Sequence, residues 1–429
     1  MAHTYETITT FTDYLKYRYK DMIIECLPEY STLLQRLEKG AGKVDFSGRS
    51  ITIPLSYNGM GSVATVAEGD QLPFSLPVNI DNATISLFYH YFGCAVTGQA
   101  MAVSADNKGA MAQAWAKEVA SKTRGFRQHL NRQLVGDGNA IICQVDGNAS
   151  GQTLTVDNAG GWSGFNNSDV NGDRFITANM YVQARNSSGT VHDGALLVTS
   201  IAKGVFPSTS AILTVTGTCS AVIDGDYLYN STGTVSVDNY GHEMSGIKVL
   251  IDDGTIAASC QGVTSATYPE WRSYVHYGTT SGTAEALTNN RMMNMYNDVT
   301  VYGGGKVDFI VTSPAVWLTY GNLADSSATV VNPTKYDTAW PSLSFFGVEV
   351  TQDPYMPDEM YFVDKRALKL YECGVNGWIE DDGVIIKQVR GSTPLDAYEA
   401  YWKYYLSLGI ENRAWCGKLV DISVTGNKF

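Results

Sequence analysis

The chain has 429 residues, of which 30 are basic and 43 acidic, so only 17% carry a charge, against about 25% in a usual soluble domain. Hydrophobic residues reach 44%, with 42 Gly and 26 Tyr, which argues against a disordered or collagen-like chain. The net charge of −13 argues against general binding to nucleic-acid phosphates, which needs an excess of Lys and Arg. At roughly 100–200 residues per domain, the length predicts two to four structural units.

The start of the chain has no basic segment followed by a long apolar run, so we predict no signal peptide. No run of about 18 apolar residues predicts a membrane span. The seven cysteines lie at least 41 residues apart and form no CxxC pair, which predicts free, mostly buried thiols instead of a zinc or redox site. We therefore expect a protein made in the cytosol, with no membrane partner.

The N-terminal region alternates between helix and strand patterns. Apolar residues recur at three- and four-residue steps over Phe11–Cys26 and resume at Leu33–Leu37 after Pro28, which predicts two short amphipathic helices. Alternation over Ile51–Tyr57 and Ile85–Tyr91 predicts two long strands joined by a wide loop. Such an arm has no partner strand of its own, so its edges would stay unpaired in a monomer, and we expect it to lie over a neighbouring copy.

The clearest element is a helix predicted over Asn107–Leu134, about 40 Å long at 1.5 Å per residue. One arc is apolar and consists of Met111, Trp115, Val119, Phe126, Leu130 and Leu134. The opposite side is basic and consists of Lys117, Arg124, Arg127 and Arg132. We expect these cations to pair with acidic residues of the same or a neighbouring chain; a stripe facing DNA is the alternative.

Residues 141–238 contain 11 charges in 98 residues and short alternating runs, which predicts a small all-β unit. Beyond it we predict a helix around Ala284–Tyr296, a strand at Val307–Val311, a strand pair near Phe345–Val350 and Met360–Val363, and a β-rich stretch to Ile422. The predicted fold class is α+β with a β insertion.

Several short motifs resemble those of enzymes, but the residues around each motif do not support the corresponding chemistry. Gly59–Ala64 fits a loose dinucleotide pattern but no helix can follow it. His242-Glu243 lacks the second His of a zinc helix, and Gly305-Lys306 lacks the rest of a phosphate loop. Asp252–Gly254 and Glu380–Gly383 could offer carboxylates to a metal, but tight turns explain them better. We therefore predict no catalytic, cofactor-binding or metal-binding residues, no cofactor, and no enzyme.

The order of these parts resembles the major capsid proteins of tailed bacteriophages, which have the Hong Kong 97-type fold. The resemblance covers residues 10–140 and 240–425, and 141–238 departs from it. The strings that carry it are Val44–Gly48 with Ser50–Pro54, Val96–Ala100, Phe126–Gly138, Asp308–Trp317, Phe346–Val350 and Tyr361–Asp364.

The resemblance implies a division into named parts. These are an N-terminal arm (1–45), an extension loop (46–97), a peripheral domain with a spine helix (98–140), an inserted β domain (141–238), peripheral strands (239–282), an axial domain (283–365), and a return to the peripheral and axial domains (366–429).

The resemblance also implies a function. The chain would assemble with itself into hexamers and pentamers of an icosahedral head shell around double-stranded DNA, contacted non-specifically, in a virion assembled in the host cytoplasm. Its partners would be separate scaffolding and portal proteins, with decoration proteins as a further candidate class. Some relatives join an extension-loop Lys to an Asn, but Val44–Asn107 contains no Lys, so we expect no such crosslink. An encapsulin-like shell protein, a carbohydrate-binding surface protein and an enzyme of unknown class remain the alternatives.

Overall fold

The computed structural model describes residues 33–34, 36–37, 43–46, 50–57, 63–74, 77, 79–99, 110–161, 172–203, 210–279, 282–327, 343–373, 377–380, 385–390 and 394–424. The helix predicted at Phe11–Cys26 lies outside these residues. In the second predicted helix, residues 33–34 and 36–37 are helical, and Leu33 and Leu37 are buried in the largest hydrophobic cluster.

The N-terminal strands are β1 (Lys43–Phe46), β2 (Ser50–Tyr57), β3 (Asn79–Ser86) and β4 (Phe88–Thr97). β2 and β3 form the predicted antiparallel arm, in register from Ser50 opposite Ser86 to Tyr57 opposite Asn79. The predicted second strand, Ile85–Tyr91, is divided. Because β2 begins opposite Ser86, the residues that follow have no partner in the arm, and β4 pairs elsewhere.

The long helix α1 (Ala110–Val135) has 26 residues and is about 39 Å long. It confirms the helix predicted at Asn107–Leu134, of which residues 107–109 lie outside the described part. Its last turn buries Leu130, Leu134 and Val135 in the largest core cluster. The helix ends at Gly136, whose N–H donates to the Arg132 carbonyl at 2.9 Å.

The described residues between 141 and 238, namely 141–161, 172–203 and 210–238, form a closed barrel. Its strands are β5 (Ile141–Val145), β6 (Thr153–Asp157), β7 (Tyr181–Arg185), β8 (Leu196–Ala202), β9 (Ala211–Val215), β10 (Tyr227–Thr234) and β11 (Val237–Asp238). Neighbours are antiparallel in the order β10-β5-β6-β9-β8-β7, and β7 pairs back to β10. Closure leaves six of the strands without a free edge, and alternating side chains fill a separate hydrophobic core.

The remaining elements follow the barrel. The first group is α2 (Ile247–Leu250), β12 (Ser259–Cys260), β13 (Val263–Thr264), β14 (Tyr274–His276), β15 (Glu285–Ala286), α3 (Asn289–Asn297) and the π-helical turn Asp298–Tyr302. The second is β16 (Phe309–Thr312), α4 (Pro314–Ser327), β17 (Leu343–Phe345), β18 (Val348–Gln352) and β19 (Met360–Val363). The last is β20 (Leu368–Cys373), β21 (Gly377–Trp378), β22 (Lys387–Arg390), β23 (Pro394–Ile410), β24 (Gly417–Leu419) and β25 (Ile422–Ser423).

Two predictions for this region need correction. The helix predicted at Ala284–Tyr296 begins only at Asn289, because β15 pairs with β25 and the Thr288 side chain caps the helix by accepting from the Arg291 N–H. The predicted strand pair is also wrong. β18 and β19 lie on opposite sides of β16 in the six-stranded sheet β14-β24-β19-β16-β18-β17, and β18 instead forms a hairpin with β17.

A second six-stranded sheet is built around the 17-residue strand β23. β20, β21, β22 and β4 all pair with β23, and β1 adds a parallel edge to β20. One face of this sheet is covered by α1, where the Phe126 ring centroid lies 5.4 Å from that of Phe92 and 6.0 Å from that of Tyr404. The other face presents Tyr89, Tyr91 and Tyr401, which are 42–55% exposed.

A fully buried arginine joins the C-terminal strands to the segment after the barrel. The Arg413 guanidinium donates to five oxygens, none of them a carboxylate: the carbonyls of Val249, Leu250, Asp252 and Trp271 and the Ser265 hydroxyl, at 2.6–3.3 Å. A buried charge is tolerated only when its donors are satisfied. This network therefore fixes the position of the C-terminal segment against the segment that follows the barrel.

Candidate assembly surfaces

The motifs considered for catalysis have structural roles where they are described. Asp252 is buried, accepts from the Gly254 and Ile256 amides at 2.9 Å, and pairs with Lys418 at 3.3 Å. The segment is a turn, as predicted, although it connects α2 to β12 and not two strands. A Cβ on Gly305 would lie 2.8 Å from the Trp415 Cα, so this glycine serves close packing. The other two motifs, Gly59–Ala64 and Glu380–Gly383, lie mostly outside the described part of the chain, which omits residues 58–62 and 381–384.

Within the described ranges, no group of three or more His, Cys, Asp or Glu side chains could hold a metal ion. None of the helices there combines the length and the apolar character that crossing a lipid bilayer requires. Five of the seven cysteines are described as free and buried, as predicted.

The arm rests on the body of its own chain along one face. Ile53, Leu55 and Ala83 pack against the largest core cluster, and the Thr84 amide donates to the Gln261 carbonyl at 2.7 Å. The expectation of an arm without any partner of its own therefore holds only in part. The opposite face, with Ser50, Thr52, Pro54, Asn82 and Ser86, is exposed and mostly polar, and it also exposes Ile80 by 70%.

The arm tip, defined as residues 63–74, is exposed throughout. Leu72 is 74% and Phe74 75% exposed, and Val63 is 73% exposed. The charges in this segment are Glu68 and Asp70, and no Lys or Arg occurs anywhere in residues 50–107. Large apolar side chains that are this exposed are typical of a surface that another molecule covers.

The uncovered face of the β23 sheet is rich in tyrosine. We call Tyr89, Tyr91, Tyr401 and Tyr405 the tyrosine face. The Tyr405 ring centroid lies 4.8 Å from Tyr89 and 5.9 Å from Tyr91, and the Tyr91 and Tyr405 hydroxyls share a hydrogen bond at 3.1 Å. Tyr89, Tyr91 and Tyr401 are about half exposed. Tyrosine is enriched at protein interfaces.

The β17–β18 hairpin carries a third exposed surface. Phe345 pairs with Val348, so the two-residue loop is Phe346-Gly347, which we call the aromatic turn. Both of its residues have positive φ, 49° and 76°, as a type I′ turn requires. Phe346 is 59% exposed, and its ring stacks on Tyr296 at 5.6 Å between centroids.

Helix α1 meets the end of the barrel through a buried polar cluster. Arg132 forms an ion pair with Glu243, and both are nearly fully buried. Asn239 donates to the same Glu243 oxygen at 2.9 Å, and Arg132 also donates to the Ile141 carbonyl at 3.2 Å. Arg132 therefore does not lie on an exposed basic face, and the expected pairing with an acidic residue of the same chain is confirmed for this arginine.

Two histidines lie beside this cluster. Burial, with a contribution from His129, lowers the pKa of His90 to about 4. Burial and the neighbouring Arg132 lower the pKa of His129 to about 3, and the Gln133 amide nitrogen lies 2.7 Å from His129 Nε2. Both rings are therefore neutral at pH 7. His129 and Arg132 also line a cavity of about 160 Å³ between α1 and the barrel.

Sequence reasoning missed the tyrosine face and the aromatic turn. The period-two pattern of Tyr89, Tyr91 and Gly93 and of Tyr401, Lys403 and Tyr405 is present in the sequence, but only the pairing of β4 with β23 brings the two runs together. The aromatic turn has no sequence signal of its own, since a type I′ loop normally begins with Asn, Asp or Gly.

Comparisons with known proteins give a fold. No protein-family model and no curated protein sequence matches the chain. Among solved structures, the capsid asymmetric unit of cyanophage A-1(L) is similar over 97% of this chain and 99% of its own, with a TM-score of 0.55 and 14% identity. A structure described as Mycobacterium phage Bobi covers 96% and 98%, with a TM-score of 0.45 and 11% identity.

The holo-SrpI encapsulin complex of Synechococcus elongatus PCC 7942 is similar over 100% of this chain and 99% of its own, with a TM-score of 0.47 and 7% identity. The likeness to the cyanophage capsid extends over nearly the whole of both chains and matches the predicted order of arm, long helix and mixed body. The chain has the Hong Kong 97-type capsid fold, of α+β class.

Proposed function

We propose that this chain is a major capsid subunit that assembles with itself into the icosahedral head shell of a tailed phage, around double-stranded DNA. The observation that carries the proposal is the whole-length likeness to a phage capsid chain combined with an arm tip that nothing in the described part of the chain covers. In this proposal the role of the chain is structural and involves no catalysis.

The exposed surfaces fit a head-to-tail assembly. The arm tip is apolar and acidic, with Leu72, Phe74, Glu68 and Asp70 exposed. A contact between two different patches of identical chains closes into rings when the rotation allows it, and each copy then gives one patch and receives the other. Obligate interfaces of this kind bury several thousand Å², and each arm supplies a long two-stranded surface toward that area.

Charge supports a shell wall that does not hold DNA tightly. The chain has a net charge of −13, which repels the phosphate backbone. Arg132 is unavailable to DNA, since it is buried against Glu243. In the proposal the packaged genome is contacted non-specifically, and scaffolding and portal proteins are separate chains; decoration proteins would bind the outside of the shell.

The arm also bears on how neighbouring subunits are held. With no Lys between Val44 and Asn107, we propose that no arm lysine links covalently to a neighbour. Particles boiled in SDS should release single chains of 46.6 kDa. A ladder of covalent oligomers on the gel would contradict this part of the proposal.

The proposal is tested by expressing the full chain and analysing what it encloses. Particles made in infected cells and purified by sedimentation should contain DNA, and this enclosed DNA should resist added nuclease. An encapsulin-like shell is the alternative, and it would contain a cargo protein and no genome. Particles that always contain one protein cargo and never DNA would favour that alternative.

A further inference from the structure

The backbone conformation of Phe346 is one that small polar residues adopt more readily than Phe does. Its φ of 49° lies in the left-handed region, where a bulky side chain is a genuine outlier. The residue after it, Gly347, has a φ of 76° and open space around its Cβ position, so the strain of the aromatic turn belongs to Phe346. Backbone strain of this kind persists where the surrounding structure or a function requires the residue.

Packing within the chain explains only in part why a Phe is present at position 346. Its ring stacks on Tyr296 and lies edge-on to Phe345 at 4.8 Å, yet the residue remains 59% exposed. Phe345 and Val348, on either side of the turn, already fill the core beneath it. An Asn would relieve the turn, so the fold of the isolated chain gives no reason to expose an aromatic ring here.

The turn itself is uncharged, since residues 343–348 contain no charged side chain. Glu349, which directly follows this segment, forms an ion pair with Arg36, and Asp298 lies 2.6 Å from His276 Nε2. After Asp298 the helix that carries Tyr296 continues into residues 299–305, which are also uncharged. That continuation exposes Val301 by 70% and Tyr302 by 76%. Two copies of a chain with a net charge of −13 repel each other, so they approach most favourably where each surface is apolar and uncharged.

We infer that the aromatic turn is a contact between copies of this chain, in which the Phe346 ring inserts against a second copy. This inference rests on the proposed function and adds the residue that makes the contact. The strained turn holds the ring outward in a fixed direction, so little side-chain freedom is lost when two copies meet. A ring of this kind at a contact centre is the type of residue that dominates association.

The first test compares stability with assembly. Phe346→Asn should leave the Tm of the unassembled chain unchanged or raise it by about 1–2 °C, because the turn is relieved. The same variant should raise the threshold concentration for assembly by at least about tenfold. Ser236→Asn is the matched control, since Ser236 also has positive φ (64°) in a tight hairpin loop but presents no aromatic ring; its threshold should not change.

The second test identifies what the ring touches. The photo-reactive analogue benzoylphenylalanine at position 346 should, in assembled particles, give a covalent product of twice the 46.6 kDa chain mass. The same analogue at the buried Tyr320 should react only within its own chain.

An unchanged assembly threshold for Phe346→Asn overturns the inference, whatever happens to its Tm. So does reaction at position 346 that joins the chain only to itself or to a different protein. In either case the unaltered chain still forms particles, which leaves the proposed function standing. If the unaltered chain forms no particles at all, the proposed function and this inference fail together.

Discussion

Acid should destabilise this protein through His90 and His129, and His90→Phe should remove the share that is due to His90. The ring is 6% exposed, its Nε2 has no hydrogen-bond partner in the described part of the chain, and it packs edge-on near Phe126 at 6.3 Å. The groups that face it are His129 and Phe126 of α1 and, beyond His129, Glu243. A phenyl ring fits this position without an unsatisfied nitrogen.

The size of the expected stability change follows from the linkage between proton binding and folding. The folded pKa of His90 is about 4 and the unfolded value about 6.5, so between these values the unfolded chain binds more protons. Stability is therefore fully present above pH 6.5 and falls as the pH drops toward 4. pH 5 lies about 1.5 units below the unfolded pKa of His90. At 1.36 kcal/mol per unit, this difference corresponds to a loss of about 2 kcal/mol in the free energy of unfolding.

The assay is thermal unfolding of the unassembled chain at pH 7.5 and pH 5. His90→Phe should be near neutral at pH 7.5 and more stable than the unaltered chain at pH 5 by about 2 kcal/mol, a Tm difference of a few degrees at most for a chain of this size. His242→Phe is the control, because His242 is exposed. An equal loss of stability on acidification in His90→Phe and in the unaltered chain would refute the reasoning.

Three further predictions concern buried charge and the arm. Arg413→Met should lower the free energy of unfolding by at least about 3 kcal/mol, since it leaves five buried oxygens without their donor, and the loss should appear as a lower Tm or as insoluble chain. Arg132→Met should cost about 3–5 kcal/mol by leaving Glu243 charged and buried; adding Glu243→Met should recover most of it, and no recovery in the double variant would contradict the pairing. Leu72→Ser with Phe74→Ser should leave the Tm within about 1 °C, because both side chains are exposed, while light scattering shows slower and weaker assembly; normal assembly would exclude the arm tip as a contact.

Local patterns in the sequence were sufficient for several elements. The helix at Ala110–Val135 follows from an apolar arc over seven turns, and the arm follows from period-two alternation on either side of a Gly- and Pro-rich loop. The barrel over residues 141–238 was predictable as a β unit, because alternation and the low charge are local properties. Its closure was not, since the pairing of β7 with β10 joins residues more than 40 positions apart.

Long-range pairing limited the prediction of surfaces. The tyrosine face exists only because β4 pairs with β23, whose residues are about 300 positions later in the chain. Arg132 was placed on a basic face by helical periodicity alone, and the buried Glu243 partner, 111 residues away, decides its actual environment. Phe346 breaks the local rule for its turn, so sequence preference predicts the wrong residue type there.

Negative-stain microscopy of the purified full chain, with its mass measured by sedimentation, tests the proposed assembly most directly. We expect rings or closed shells of megadalton mass, built from hexamers and pentamers of one 46.6 kDa chain. A chain that stays folded and monomeric at every concentration tested, with the arm tip exposed to solvent, would contradict it.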